Sequence, residues 1–325
     1  MKIAMLGLGA YAIALTKVLH NKKNNIVMWS KFKEEVDMVK NSRENSAVLP
    51  DIKLEEEIEI TNDLQFVIKD AEVIIMAVPM FALRGICTQL KEIIKENQII
   101  CIVSKGVEKE TYMFPSQVVF EELPNNKVVM VSGPSFAKEL ATKCETGLTV
   151  ASEDIDAMEK IAKIFDVRNI SIDKTTDILG VQICATTKNI YAILLGILSG
   201  KNKSESTKAS VLALVINDSR KLLEMLGGSR KTAYMYAGLG DLLLTCMSTK
   251  SRNFTLGKLL GEGKSLEEAL ANMSAKTVEG LHSLESIYEL LKITGNSENI
   301  KSITLLYNIL NNNENIDDEL KYIAG

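Results

Sequence analysis

Short apolar, β-branched runs recur through the first half of the chain, at residues 3–6, 26–29, 73–78, 99–103, 128–131 and 148–151. Segments of helical length separate several of them, such as the amphipathic stretch 81–96. Strands that alternate with helices predict an α/β domain with a parallel sheet and helices on its faces, since parallel neighbours need a crossover that a helix supplies. The runs VIIMAVP, IICIVSKG and VVMVSGPS each carry Gly or Pro at the C-terminal end. Ligands of open α/β sheets bind outside those ends, so three polar loops are expected to converge there.

Beyond residue 175 the period changes. Apolar residues recur at helical spacing over 177–198, 207–226, 242–247, 266–273, 283–293 and 300–310, and strand signals nearly vanish. The expectation is an α/β domain over residues 1–175 followed by an all-α domain over 176–325, with the boundary near 171–177. The run NNNEN at 311–315 reads as a polar turn between the last two helices. A length of 325 residues fits two domains at a prior of roughly 150 residues each.

Composition narrows the chemistry. With 38 Lys+Arg against 42 Asp+Glu the net charge is −4, which excludes a strongly cationic nucleic-acid binder. There are two histidines, His20 and His282. That inventory rules out a His-rich metal site, so no metal is expected, and it points proton chemistry towards Lys or carboxylates. The five cysteines are odd in number and widely spaced, and none forms a C-x-x-C pair, which predicts buried free thiols and a cytoplasmic protein. Glycines and Lys17 interrupt the apolar N-terminus, which reads as strand, turn and helix rather than a signal peptide. The apolar run 190–198 is far short of the roughly 20 residues that span a bilayer, so no membrane segment is expected.

Gly7-Leu8-Gly9-Ala10-Tyr11-Ala12 follows the first strand and opens a helix, the context a dinucleotide fingerprint requires. Gly7 permits the tight turn, Gly9 lets a pyrophosphate approach the helix N-terminus, and Ala12 is small enough for close packing. At the end of the second strand, Trp29-Ser30-Lys31 contains no carboxylate to hold the ribose of NAD, whereas Ser30 and Lys31 suit a 2′-phosphate. NADPH is therefore favoured over NADH, although Lys31 and Lys33 also read as a solvated surface with Glu34 and Glu35.

Four further motifs carry candidate chemistry. Lys105 stands at the mouth of a strand beside Gly106, and Ser132 to Glu139 form a turn into a helix that Ser135 would cap. Lys188 and Asn189 sit on an otherwise apolar helix, where an ammonium must pair or face a polar cavity unless it snorkels to solvent. Desolvation or a second cation tunes such a lysine for acid/base work. In AGLGDLLLTC, Asp241 begins a short helix with Thr245 at i+4 on the same face. Ser251, Arg252 and Asn253 follow, a fork and an amide suited to phosphate.

Taken together, GLGAYAIAL, VMWS, SKGVEKET, SGPSFAKEL, Lys188-Asn189, AGLGDLLLTC, SRN and Val278-Glu279-Gly280 resemble the bacterial NAD(P)-dependent glycerol-3-phosphate dehydrogenases, collinearly over nearly the whole chain. SGPSFAKEL and AGLGDLLLTC with SRN are the specific parts. The resemblance implies a Rossmann-type dinucleotide-binding domain, a helical substrate domain, and reversible reduction of dihydroxyacetone phosphate by NAD(P)H to sn-glycerol 3-phosphate for phospholipid synthesis. It makes Lys188 the proton donor, has Lys105 touch substrate and cofactor, and has Asp241 orient the two lysines. Gly133, Ser135, Thr245, Ser251, Arg252 and Asn253 would hold substrate. Gly7, Gly9, Ala10, Tyr11, Ala12, Lys31, Ala137, Arg252, Val278 and Glu279 would meet the cofactor.

Departures from the family pattern are Ala12 in place of a third glycine, the missing Gly-Gly pair in 183–187, and KNKSESTKASVLALVIND over residues 201–218. The last bears on turnover, packing between copies or feedback control. A homodimer through the helical domain fits the same reading. Two rivals stay open: a related enzyme acting on another small phosphorylated or acidic carbonyl compound, and a non-catalytic NAD(P)-binding sensor.

Overall fold

Eight strands form one sheet in the computed structural model, which describes residues 1–273, 278–311 and 314–318. They are β1 (Lys2–Leu6), β2 (Asn25–Trp29), β3 (Glu59–Thr61), β4 (Val73–Met76), β5 (Ile99–Ile102), β6 (Val128–Ser132), β7 (Thr146–Ala151) and β8 (Ile170–Thr175). Their order is β3-β2-β1-β4-β5-β6-β7-β8. The reversal between β1 and β4 is the switch point at which open α/β sheets leave a crevice. Strands β1, β4, β5 and β6 are apolar almost throughout and buried, as expected where helices cover both faces.

The sheet is not wholly parallel, which corrects the sequence expectation. β7 runs antiparallel to β6, and β8 is parallel to β7. The reason is local: the helix between β6 and β7, Ala137–Ala141, has five residues and so is about 8 Å long, too short to carry the chain back along a strand of about 17 Å. The chain therefore turns at the same edge and descends. β3 and β8 escaped the apolar pattern because they are the two outermost strands. The sequence of β8, ISIDKT, is polar at four of its six positions because the strand is incompletely covered.

By compactness the chain divides into two units. Residues 1–105 and 115–178 form the first, and residues 106–114 group with those from 179 onward in the second. The described elements of the second unit are helical. Its longest helix, Ile178–Gly200, extends well beyond the apolar run 190–198 and is apolar enough to cross a membrane. However, 94% of its most apolar window is buried inside the protein, the mark of a core helix. The divergent segment forms the body of a second long helix, Glu205–Met225, capped by Ser204, which accepts a hydrogen bond from Thr207 N–H.

The helix Arg252–Gly261 was not visible in the apolar pattern, because its two glycines read as loop. They are instead an interface. A Cβ on Gly257 would overlap the carbonyl oxygen of Ile193, one on Gly261 that of Ile197, and one on Gly196 that of Phe254. The backbones of this helix and Ile178–Gly200 thus lie in direct contact, which fixes Asn253 against Asn189. Gly257→Ala is expected to cost about 2–3 kcal/mol of stability, measured by urea denaturation, because backbone cannot yield as a side-chain tip does.

Residues 312–313 of the predicted polar turn lie outside the described residues.

Candidate active site

In the first unit the exits of β1 and β2 are tied together, Gly7 N–H donating to Trp29 O at 2.8 Å. Gly7 has φ 129°, and a Cβ there would overlap the Ala77 carbonyl oxygen, so the turn demands glycine. Gly9 is the N-cap of the helix Ala10–Leu19. No side chain caps that helix, its first turn holds no acid, and a Cβ on Gly9 would meet nothing within 4 Å. A helix N-terminus kept clear in this way suits an anion, so these residues fit a dinucleotide pyrophosphate. Ala12 is buried behind it at 1% exposure.

Tyr11 and Ser135 meet across this edge, with their hydroxyl oxygens 2.9 Å apart. Ser135 donates to the Gly133 carbonyl at 3.1 Å, which leaves the tyrosine as donor to Ser135. Ser135 is not the helix cap that the sequence suggested. Phe136 occupies the N-cap before Ala137 without a side-chain bond, because the serine is committed to Gly133 and Tyr11. Lys105 follows β5, half-buried, beyond Ser104, whose hydroxyl lies within hydrogen-bond distance of the Met76 and Val78 carbonyls.

The end of β2 differs from expectation. Lys31 is exposed, but Ser30 is not available to a phosphate: its hydroxyl donates to Glu35 Oε2 at 2.5 Å, and its oxygen accepts from Phe32 N–H at 3.3 Å. A carboxylate is therefore present at this strand end after all. Spacing hid it, because it comes from the first turn of the following helix, Lys33–Ser42.

In the second unit Lys188 is buried at 8% exposure, and its Nζ lies 2.5 Å from Asp241 Oδ1. The lysine does not snorkel; it is paired, and Asp241 itself is 1% exposed. Asp241 reaches it from the first position of the helix Asp241–Cys246, entered through a π-helical turn over Tyr236–Gly240, a distortion often found at functional sites. Thr245 shares that face, its hydroxyl donating to the Asp241 carbonyl at 2.6 Å. Ile216 and Ser219, from the divergent helix, line a small cavity with Lys188 and Thr187.

Beside the lysine runs an amide relay. Gly280 N–H donates to Asn253 Oδ1 at 2.9 Å, Asn253 Nδ2 to Asn189 Oδ1 at 3.0 Å, and Asn189 Nδ2 to Glu279 Oε2 at 3.0 Å. Asn253 thus spends most of its amide within the protein. Asn189 received no role from its motif alone, although a buried amide on an apolar helix is signal enough to ask for partners. Ser251 caps the helix that Arg252 begins, accepting from Phe254 N–H at 3.3 Å. Arg252 is exposed, Val278 buried, Glu279 exposed, and Ala137 half-buried. Burial pushes the Cys246 thiol up out of its ordinary range, which keeps it protonated and excludes it as a nucleophile. His20 closes the far end of the helix that the glycine turn opens, and His282 is exposed.

Comparison with known proteins decides the family. Residues 2–158 match the model for the N-terminal part, and residues 177–321 that for the C-terminal part, of NAD-dependent glycerol-3-phosphate dehydrogenase. The chain belongs to this family. The glycerol-3-phosphate dehydrogenase, NAD(P)+, of Fusobacterium nucleatum is 36% identical over 287 residues, covering 88% of this chain and 85% of the relative. The enzyme of the same name from Bacillus pumilus is 33% identical over 327 residues, covering 100% and 94%. The crystal structure of glycerol-3-phosphate dehydrogenase from Coxiella burnetii superposes with a TM-score of 0.93 at 28% identity, covering 99% of this chain and 98% of that one. Membership accounts for the Rossmann-type first unit and the helical second one.

Proposed function

We propose that this member of the glycerol-3-phosphate dehydrogenase family catalyses the reversible reduction of dihydroxyacetone phosphate by NAD(P)H to sn-glycerol 3-phosphate, in the cytoplasm, for phospholipid synthesis. The observation that carries the reading is the buried Lys188–Asp241 pair. A bound nicotinamide supplies the hydride. As the carbonyl carbon is reduced, Lys188 Nζ gives a proton to the developing alkoxide and is reprotonated from solvent; in the reverse direction it takes that proton back. Asp241 holds the ammonium in place, and Thr245 holds Asp241's helix turn. Lys105 is assigned as the second cation of the reaction, acting on substrate and cofactor.

The phosphate is assigned to Ser251, Arg252 and Asn253. An arginine at the first position of a helix opposes the helix dipole, and an anion bound at that end relieves the conflict. Ser251 accepts the capping bond through oxygen, which leaves its O–H to donate. Gly133 and Ser135 would border the substrate, and Gly7, Gly9, Ala10, Tyr11, Ala12, Ala137, Val278 and Glu279 the cofactor. NADPH is the favoured reductant in this reading, since Lys31 is an exposed cation at the end of β2.

Arg252→Ala is expected to raise KM for dihydroxyacetone phosphate by about 10–100-fold, the worth of a charge-assisted bond. With the nicotinamide cofactor saturating, so that any contact Arg252 makes with it is not limiting, turnover of unphosphorylated dihydroxyacetone should barely change. Equal losses on both substrates would remove the phosphate role and favour an acidic or otherwise different carbonyl substrate.

A further inference from the structure

Glu35, we propose, is the residue that selects between the two nicotinamide cofactors, by presenting a carboxylate where the adenosine ribose carries either a 2′-hydroxyl or a 2′-phosphate. This rests on the reading that the first unit binds NAD(P). Dinucleotide sites place an acidic residue at the end of the second strand to accept from the ribose. Here that position is Ser30, and the acid comes from five residues further on.

The geometry holds the Glu35 carboxylate at both oxygens. Ser30 donates to Oε2 at 2.5 Å, and Asn45 Nδ2 donates to Oε1 at 3.1 Å. Ser30 and Asn45 are buried, at 5% and 2% exposure. Asn45 Nδ2 also donates to the carbonyl of Leu8, inside the glycine turn, at 3.0 Å. With Gly7 N–H bonded to Trp29 O, the carboxylate is thus fastened to the exits of β1 and β2 together. These exits flank the place where a dinucleotide's adenosine ribose lies. A carboxylate accepts about four hydrogen bonds, and two are used, so acceptor capacity remains for a ribose hydroxyl.

A 2′-hydroxyl gains a charge-assisted acceptor at this point, whereas a 2′-phosphate meets a like charge. Lys31, exposed on the same strand end, acts in the opposite sense. The two residues together account for a site that admits both cofactors, with Glu35 limiting the advantage that Lys31 gives NADPH. Acids in a first helical turn also serve the helix dipole, and Glu34, exposed in the same turn, supplies that interaction without reaching Ser30.

The test is calorimetric titration of the full-length protein with NAD+ and with NADP+, which needs no turnover. Glu35→Gln, which can still bond Ser30 and Asn45, is expected to raise the affinity for NADP+ relative to NAD+ about tenfold. Glu35→Ala should shift the ratio in the same direction, Lys31→Ala in the opposite one, and Glu34→Gln should leave it unchanged. An unchanged ratio in both Glu35 variants, or an equal loss for both nucleotides, overturns the selection role and assigns Glu35 to the helix. A wild-type protein that binds neither nucleotide overturns the cofactor reading and this inference with it.

Discussion

Lys188→Ala is expected to lower kcat by about 10²–10⁴-fold, the range that a positioned general acid contributes. NADPH affinity, measured by titration, should stay within about twofold, because proton transfer is lost while the cofactor assignments lie elsewhere. Two histidines, one closing the far end of a helix and one exposed, leave proton donation to another group, and Lys188 is the ammonium held at 2.5 Å by a buried carboxylate. Lys188→Arg sharpens the test. It keeps a cation for Asp241, yet a guanidinium does not release its proton in this range, so turnover should stay low. Near-normal kcat in either variant would remove the acid/base role.

The second large effect is on stability. Asp241→Ala removes the carboxylate that pairs with the buried Lys188 ammonium, and breaking a buried pair by removing one partner costs about 3–5 kcal/mol. Urea denaturation should record that loss together with near-complete loss of turnover. Replacing both partners by apolar residues of similar size, Lys188→Met with Asp241→Leu, should recover most of the stability and none of the activity. If the double variant is as unstable as Asp241→Ala, the pair is not the source of the cost. On the proposed role, retaining the pair serves the reaction rather than the fold.

Much of the first unit was legible because burial on both faces of a sheet writes itself as uninterrupted apolar residues. β1, β2, β4, β5 and β6 announce themselves in this way. β3 and β8 do not, since each is an outermost strand. The apolar run of β7 was legible but its antiparallel direction was not: direction depends on whether a connection can cross the sheet, and the five-residue helix Ala137–Ala141 carries that information through its length alone. In the second unit, helix Arg252–Gly261 was concealed by glycines that serve close packing rather than flexibility.

Candidate residues that share one element were easier to group than those joined by folding. Thr245 at i+4 from Asp241 follows from helical spacing, and the structure places both on one face. No spacing rule links Lys188 with Asp241, Asn189 with Asn253, or Tyr11 with Ser135, since each pair meets through tertiary packing. Glu35 is the sharpest case. A rule that looks for an acid at the strand end finds Ser30 and stops, whereas the side chain that matters returns from the next helix.

The most direct measurement is the consumption of NADPH or NADH by the purified protein with dihydroxyacetone phosphate, set beside unphosphorylated dihydroxyacetone. The account predicts saturable turnover that depends on the phosphate and yields sn-glycerol 3-phosphate. Saturable nucleotide binding with no turnover of dihydroxyacetone phosphate would contradict it, and would make the protein a nucleotide-binding sensor rather than a dehydrogenase.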